Sequence, residues 1–223
     1  MGLVELLALG AFVFALYAQY AVVSTARRFF AVPCRAGVTG SEAAREVLSL
    51  AGLRFVRVER VGGFLTDHYD PRAMALRLSP EVYAGSSLGA LGVAAHEAGH
   101  AVQHMLGYGP FVLRARLAPV AGLGSQAAVP LFLLGMLIGW RGLVDLGLLL
   151  FFGAVAFTAV TLPVEFDASR RALEALKDSG LLAPGEEAGV KAVLRAAALT
   201  YVAALAVAAT QFLRMLALSR RSD

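Results

Sequence analysis

Residues 96–100 read His-Glu-Ala-Gly-His, which places two imidazoles and a carboxylate within about one helical turn. On a helix, His96 and His100 lie on the same face, so both rings can reach a single metal ion. Glu97 projects about 100° away from His96, beside the position that such a metal keeps for water. A carboxylate there can accept a proton from the water. The spacing therefore predicts a zinc site that activates water for hydrolysis.

The sequence around this motif favours a helix. Residues 88–106 are apolar and rich in alanine, Ser86 or Ser87 can act as the N-cap, and Gly107 can end the helix. Glycines within the run would let neighbouring elements approach closely; they are Gly89, Gly92 and Gly99. The alternative is a core helix whose two histidines form structural hydrogen bonds. Because histidine is uncommon, chance seldom produces this pattern, and we favour the metal site.

A third protein ligand is expected outside the motif, because a catalytic zinc normally has three. His104 continues the same helix, but relative to His96 the helical face has rotated by about 80° there. We therefore expect His104 behind the ligands or at the surface. Glu165 would complete a His, His, Glu set, and Asp167 is its competitor. Pro163 suits the start of a helix, and acidic residues also favour a helix N-terminus without any metal.

Four stretches free of Asp, Glu, Lys and Arg indicate a membrane protein. The chain has 223 residues, of which 58% are hydrophobic, and this is too apolar for an ordinary soluble domain. Each stretch is about long enough to cross a ~30 Å hydrocarbon core. Pro119 and Pro130 interrupt the second, which we expect to be kinked or partly unwound. The four predicted transmembrane helices are residues 6–26, 117–140, 146–164 and 196–213.

These spans divide the chain into alternating segments. Lys and Arg are enriched in segments 27–116 and 165–195, near the ends of the predicted spans. The positive-inside rule places both segments in the cytoplasm. Two spans separate HExxH from Glu165, so the chain crosses the membrane twice between them. Both motifs are therefore expected on the same side of the membrane. The predicted segments are a transmembrane anchor (1–26), a cytoplasmic α+β catalytic part with the HExxH helix (27–116), a two-helix transmembrane hairpin (117–164), a cytoplasmic helical segment with the third zinc ligand (165–195), and a transmembrane helix with a C-terminal tail (196–223).

The segment before HExxH predicts a small mixed domain. Residues 39–51 are typical of a capped amphipathic helix, and residues 54–61 and 73–78 are typical of strands. A protease can hold an extended substrate at an exposed sheet edge. We expect strand 73–78 to be that edge, although a core strand fits its pattern equally well. His68 and Tyr69, in the loop before it, can donate to an oxyanion or can simply pack the loop.

Three motifs together resemble those of the bacterial YugP-type membrane zinc metallopeptidases. They are HExxH on an alanine-rich helix, Thr-Asp-His-Tyr-Asp-Pro at residues 66–71, and Leu-Pro-Val-Glu-Phe-Asp-Ala-Ser-Arg at residues 162–170. More distantly, the layout is similar to the heat-shock membrane protease and CAAX protease group, whose third ligand is the Glu of a Glu-x-x-x-Asp motif. Ser169 stands here where that Asp would be. The resemblance thus implies that Asp167, or no carboxylate at all, orients a ligand histidine.

Residues and resemblance together predict a mainly α integral membrane protein of the bacterial cell membrane, with about four transmembrane helices and a small α+β, zincin-like catalytic domain. One catalytic Zn²⁺ would be held by His96, His100 and Glu165, with Glu97 as general base. The expected partners are the lipid bilayer and a peptide or membrane-protein substrate. Two further residues, Arg170 and Arg171, can pair with Glu97, stabilise developing charge, or mark the cytoplasmic membrane boundary.

Two other functions fit the same residues. The first is a non-enzymatic membrane scaffold with structural zinc, which would need a fourth protein ligand such as His68 or His104. The second is a zinc hydrolase that acts on a lipid or another non-peptide bond. The net charge of +4 follows from arginines near membrane ends, and the chain has no basic stretch interleaved with aromatic residues. We therefore expect no nucleic-acid partner.

Overall fold

The computed structural model describes residues 2–63 and 66–220, which form seven helices and three strands. The last three residues of the predicted C-terminal tail, 221–223, lie outside this part of the chain. In chain order the elements are α1 (Leu3–Phe30), α2 (Gly40–Leu50), β1 (Arg57–Arg60), β2 (His68–Asp70), β3 (Ala75–Leu78), α3 (Pro80–Ala84), α4 (Leu88–Met105), α5 (Gly109–Ile138), α6 (Arg141–Asp178) and α7 (Glu187–Ser219).

The contacts between residues divide the chain into two compact units. The first contains residues 1–19, 109–163 and 200–223, and the second contains residues 20–108 and 164–199. Helices α1, α6 and α7 each contribute residues to both units.

The first unit is built by close packing of α5 and α6. Phe132, Val144 and Met215 form its buried apolar cluster. A Cβ atom at Gly135 would lie 2.6 Å from the backbone nitrogen of Val144, and one at Gly147 would lie 2.8 Å from the Ala128 carbonyl oxygen. Glycine is therefore needed at both positions, because it lets the two helix backbones approach closely, as is common for helix pairs in membranes.

Among the residues that the structure describes, three helices are long and apolar enough to cross a membrane: α1, α6 and α7. Within α5, the segments Gly109–Pro119 and Gly124–Ile138 meet the same criterion only as a pair, and they are bent by 51° relative to each other. The chain thus has the apolar helices expected of a membrane-associated protein. The fourth span stays a prediction, because it requires the bent pair to act as one crossing.

The expectation that Pro163 begins a helix is wrong. Pro163 lies inside α6, which runs without interruption from Arg141 to Asp178. A proline suits a helix start because it lacks an N–H, but apolar membrane helices also tolerate interior prolines when neighbouring groups satisfy the freed carbonyl. Glu165 is therefore presented by the middle of a long helix and not by a helix N-terminus.

The second unit contains the sheet, whose strand order is β1-β3-β2. Strand β3 pairs parallel with β1 and antiparallel with β2. The expectation that strand 73–78 forms the sheet edge is therefore wrong, since β3 lies in the centre. Its side chains explain this position, because Ala75, Leu76 and Leu78 are fully buried and a central strand is the better place for such a strand.

Helix α2 packs against α4 in the second unit and begins with a capping box. The Thr39 hydroxyl accepts a hydrogen bond from the Glu42 N–H, and the Glu42 carboxylate accepts one from the Thr39 N–H at 2.7 Å. The buried face of α2 carries Ala43, Ala44 and Val47. The helix predicted at residues 39–51 is thus confirmed, and the reciprocal capping bonds fix where it begins.

Helix α4 carries the HExxH residues and has the predicted ends. The Ser87 hydroxyl accepts a hydrogen bond from the Ala90 N–H at 3.2 Å, and Gly107 follows the helix with a φ of 61°. Residues with small side chains face neighbouring elements. A Cβ atom at Gly89 would lie 2.5 Å from the Phe30 ring, and one at Gly99 would lie 2.7 Å from the Ala168 carbonyl oxygen. The predicted close approaches around the motif are therefore confirmed.

Candidate metal centre

His96 and His100 of α4 meet Glu165 of α6 in a compact group of three potential metal ligands. The Nε2 atom of His96 lies 3.1 Å from Glu165 Oε2, and the Nε2 atom of His100 lies 3.6 Å from the same oxygen. One ligand atom from each residue lies within 4.8 Å of the others. Tetrahedral zinc with bonds of about 2.0–2.1 Å needs ligand atoms roughly 3.3 Å apart. The group therefore fits a zinc ion after small adjustments.

The electrostatics of the group favour a cation. The Glu165 side chain is only 2% exposed, and a buried carboxylate needs a compensating positive charge. Burial alone would lower the pKa of the His100 imidazole, but its hydrogen bond with Glu165 and the negative charges of Glu97 and Glu165 outweigh burial, so that its pKa is raised. A proton on an imidazole or a bound zinc ion can supply that charge.

The second nitrogen of each imidazole also has a partner. His96 Nδ1 lies 3.2 Å from the Ser169 hydroxyl, and His100 Nδ1 lies 3.0 Å from Gln103 Oε1. Both rings thus use Nδ1 for hydrogen bonds and direct Nε2 towards Glu165. The sequence predictions omitted Gln103, although it lies on the same face as His100 and is a lone amide in an apolar helix.

Glu97 lies beside the ligand group and is held by strand β2. Its Oε2 accepts a hydrogen bond from the Tyr69 backbone N–H at 3.0 Å. The Tyr69 hydroxyl lies 2.9 Å from His104 Nδ1 and 3.3 Å from Met74 Sδ. Tyr69 is buried, so these contacts fasten β2 to the face of α4 that carries Glu97 and His104. The predicted general base is therefore anchored by a backbone donor.

Asp67, just before β2, has a half-buried carboxylate that holds this part of the chain in place. Asp67 accepts hydrogen bonds from the Ser79 N–H at 2.7 Å and from the Ser79 hydroxyl at 3.0 Å. Burial raises the pKa of Asp67, although the two hydrogen bonds from Ser79 oppose this effect. The neighbouring His68 is exposed, and its Nδ1 contacts the Thr66 carbonyl oxygen at 2.7 Å. Together these contacts determine where Tyr69 presents its N–H.

Asp167 is separate from the three-residue ligand group. It accepts hydrogen bonds from Gln103 at 2.9 Å, from Arg170 at 2.5 Å and from Arg171 at 2.6 Å. Arg170 also pairs with Glu174 at 2.7 Å. The two arginines thus neutralise Asp167, which in turn contacts the amide that holds His100.

Gly99→Ala is expected to weaken zinc binding by about tenfold or more, because overpacking of this kind typically costs ~1–3 kcal/mol. The new methyl group would meet the Ala168 carbonyl oxygen at 2.7 Å and push apart the backbones that carry His100 and Glu165. Competition with a fluorescent chelator measures the affinity. Gly153→Ala is the control, because a Cβ atom there has open space around it within 4 Å. Equal affinity in both variants would contradict the close-approach argument.

Comparison with known proteins identifies the family. The model of a family described as "Putative neutral zinc metallopeptidase" matches residues 4–220. The chain belongs to this family. It is similar to the "Putative membrane protease YugP" of Bacillus subtilis (strain 168), with 48% identity over 198 residues, which are 89% of this chain and 88% of the relative. No solved structure matches the chain. The predicted resemblance is confirmed, and membership of a zinc peptidase family implies zinc, for which His96, His100 and Glu165 are the candidate ligands.

Proposed function

We propose that this protein is a membrane zinc endopeptidase of the HExxH type that cleaves membrane-associated proteins. The observation that carries the proposal is the convergence of both HExxH imidazoles on Glu165, a residue 69 positions from His96 along the chain. Three protein ligands leave a fourth position open, which is the arrangement of catalytic zinc sites. Glu97 remains outside the ligand group with its carboxylate held by Tyr69.

His96, His100 and Glu165 would hold the metal, and Glu97 would move the proton. Zinc bound there would lower the pKa of a water molecule and polarise the scissile carbonyl. Glu97 accepts the proton that the attacking water loses, on a carboxylate oxygen, and then transfers it to the nitrogen of the departing amine. The Tyr69 N–H keeps one Glu97 oxygen in place, so the other is available for the proton.

Strand β2 is the candidate to hold an extended substrate, in place of β3. It lies at one end of the strand order and pairs with β3 on one side. Its residue Tyr69 contacts Glu97, so this strand is next to the proposed general base. For the oxyanion we propose His68, because its ring is exposed, whereas the Tyr69 hydroxyl is already engaged by His104. The Tyr69 N–H already donates to Glu97, so a substrate at this edge would pair through the Tyr69 carbonyl oxygen, which points to the same side of the strand.

The location of the proposed substrates follows from the apolar helices. Helices α1, α6 and α7 are suited to cross a membrane. The distribution of Lys and Arg favours a cytoplasmic position for segments 27–116 and 165–195, which contain all the proposed site residues. We therefore propose that the enzyme acts on cytoplasmic segments of membrane proteins.

A structural-zinc scaffold is the principal alternative, and the side-chain contacts argue against it. Such a site would need a fourth protein ligand. In the part of the chain that the structure describes, the ligand group consists of His96, His100 and Glu165. The two remaining histidines have other contacts: His104 Nδ1 with the Tyr69 hydroxyl, and His68 Nδ1 with the Thr66 carbonyl.

A cleavage assay with controlled metal content tests the proposed function. The purified full-length protein is incubated with a panel of detergent-solubilised bacterial membrane proteins, with and without a zinc chelator, and new peptide N-termini are identified by mass spectrometry. We expect cleavage that disappears with chelator and returns when zinc is restored. Stoichiometric zinc without cleavage would support the scaffold, and release of water-soluble products from lipids alone would support a non-peptide hydrolase.

A further inference from the structure

We infer that Gln103 is a positioning residue that fixes the His100 imidazole with its Nε2 atom directed towards the proposed zinc site. The inference rests on the proposed zinc site, and it adds a fourth residue on which metal affinity depends. Gln103 is fully buried on the same helix as His100. A buried amide in an apolar helix is costly unless its donors and acceptor are all satisfied.

The partners of Gln103 determine which way its amide points. Its nitrogen lies 2.8 Å from the Val164 carbonyl oxygen and 2.9 Å from Asp167 Oδ2. A carbonyl and an ionised carboxylate can only accept hydrogen bonds, so the atom that faces both must be the NH₂ group. The amide oxygen is consequently the atom 3.0 Å from His100 Nδ1.

The amide orientation in turn determines the tautomer of His100. Because Gln103 Oε1 can only accept, His100 Nδ1 must carry the hydrogen. In the neutral ring, Nε2 is then the nitrogen whose lone pair can bind a metal, and this atom is the one that faces Glu165. Metal-binding imidazoles commonly have their other nitrogen held by an acceptor in this way. Here the acceptor is a neutral amide whose donors are bound by Asp167 and the α6 backbone.

The His96 side of the site lacks this constraint. Its Nδ1 contacts the Ser169 hydroxyl at 3.2 Å. A hydroxyl can donate or accept, so it is compatible with a hydrogen on either nitrogen of His96. Removal of Gln103 should therefore affect zinc binding more than removal of the Ser169 hydroxyl.

Substitution of Gln103 by Met tests the inference, because Met has a similar length but lacks the amide. The protein is the full chain in detergent, and zinc is the probe. We expect Gln103→Met to weaken zinc binding by about 10- to 100-fold and Ser169→Ala to weaken it less. Gln103→Glu should retain more affinity than Gln103→Met, because a protonated carboxyl group can accept from His100 with one oxygen and donate to Asp167 with the other. Gln211→Met on α7 is the matched control, and its affinity should equal that of the unmodified chain.

A spectroscopic measurement separates positioning from general damage to the fold. Side-chain ¹⁵N NMR of the metal-free protein, at a pH high enough for the His100 ring to be neutral, reports which nitrogen of that ring carries the hydrogen. We expect a protonated Nδ1 and an unprotonated Nε2 in the neutral ring of the unmodified chain and of Gln103→Glu, and a mixture of tautomers in Gln103→Met. Helix content and thermal unfolding of each variant show whether it is folded.

Three results would overturn the inference. They are unchanged zinc affinity in folded Gln103→Met, an unchanged His100 tautomer in that variant, or a hydrogen on Nε2 in the unmodified chain. If Gln103→Met fails to fold, the tautomer of His100 in the unmodified chain decides the question. Failure of the peptidase assay with zinc affinities as expected would reject the proposed function and leave this inference standing.

Discussion

Replacing Glu97 with Gln is expected to lower the turnover number by at least about 100-fold, since general-base catalysis typically contributes about 10²–10⁴-fold. The amide cannot accept the water proton, yet its oxygen can still accept the Tyr69 N–H, which lies 3.0 Å from Glu97 Oε2. Zinc content should remain unchanged, because Glu97 is outside the ligand group. The measurement is cleavage of a substrate found in the panel, together with metal analysis of the same sample.

The control for this variant is Glu46→Gln, which makes the same chemical change at an exposed position of α2. It should retain full turnover and full zinc content. Cleavage at an undiminished rate by Glu97→Gln would show that another group takes the proton. Loss of zinc from Glu97→Gln would instead place Glu97 among the ligands.

Replacing Glu165 with Gln is expected to lower zinc affinity by at least about 100-fold and to abolish cleavage. Loss of a residue behind a ligand typically costs 10- to 100-fold in metal affinity, and loss of a charged ligand should cost more. The metal-free protein should lose some stability, because the change removes the charged partner of the His96 and His100 imidazoles, and removing one member of a buried ion pair is destabilising. Chelator competition and thermal unfolding of the metal-free protein measure both effects.

The matched variant for this experiment is Asp167→Asn, two residues further along α6. Asp167 contacts Gln103, Arg170 and Arg171, so its change to an amide should reduce zinc affinity by less than the Glu165 change does. The comparison distinguishes the two carboxylates that the sequence offered as third ligand. A larger loss in Asp167→Asn than in Glu165→Gln would reverse the assignment.

Several features of the fold could be predicted because they depend on residues close together in the chain. Helix α4 follows from an apolar run between a serine cap and a glycine, and α2 follows from the capping box of Thr39 and Glu42. The apolar helices α1, α6 and α7 follow from length and the absence of charge. In each case the interactions that define the element form within a few residues or with the surrounding solvent.

Other features depend on contacts between distant residues, and the sequence pattern was a poor guide to them. The pattern of residues 73–78 fits either an edge strand or a central strand of a sheet. In the structure β3 pairs with both β1 and β2 and is therefore the central strand. The sequence favoured a helix start at Pro163, but α6 continues through this residue. The order of strands and the continuity of a helix through proline both depend on which groups lie alongside, and local propensity does not contain that information.

The amino-acid sequence by itself determined that two imidazoles and a carboxylate share a helix, because helical geometry follows from spacing alone. It also placed Glu165 among the candidate ligands. The tertiary structure decided between Glu165 and Asp167 as neighbour of the imidazoles, and it gave Gln103 its partners. The physical reason is the close approach of α4 and α6 at Gly99, where the absence of a side chain brings two distant segments within hydrogen-bonding distance.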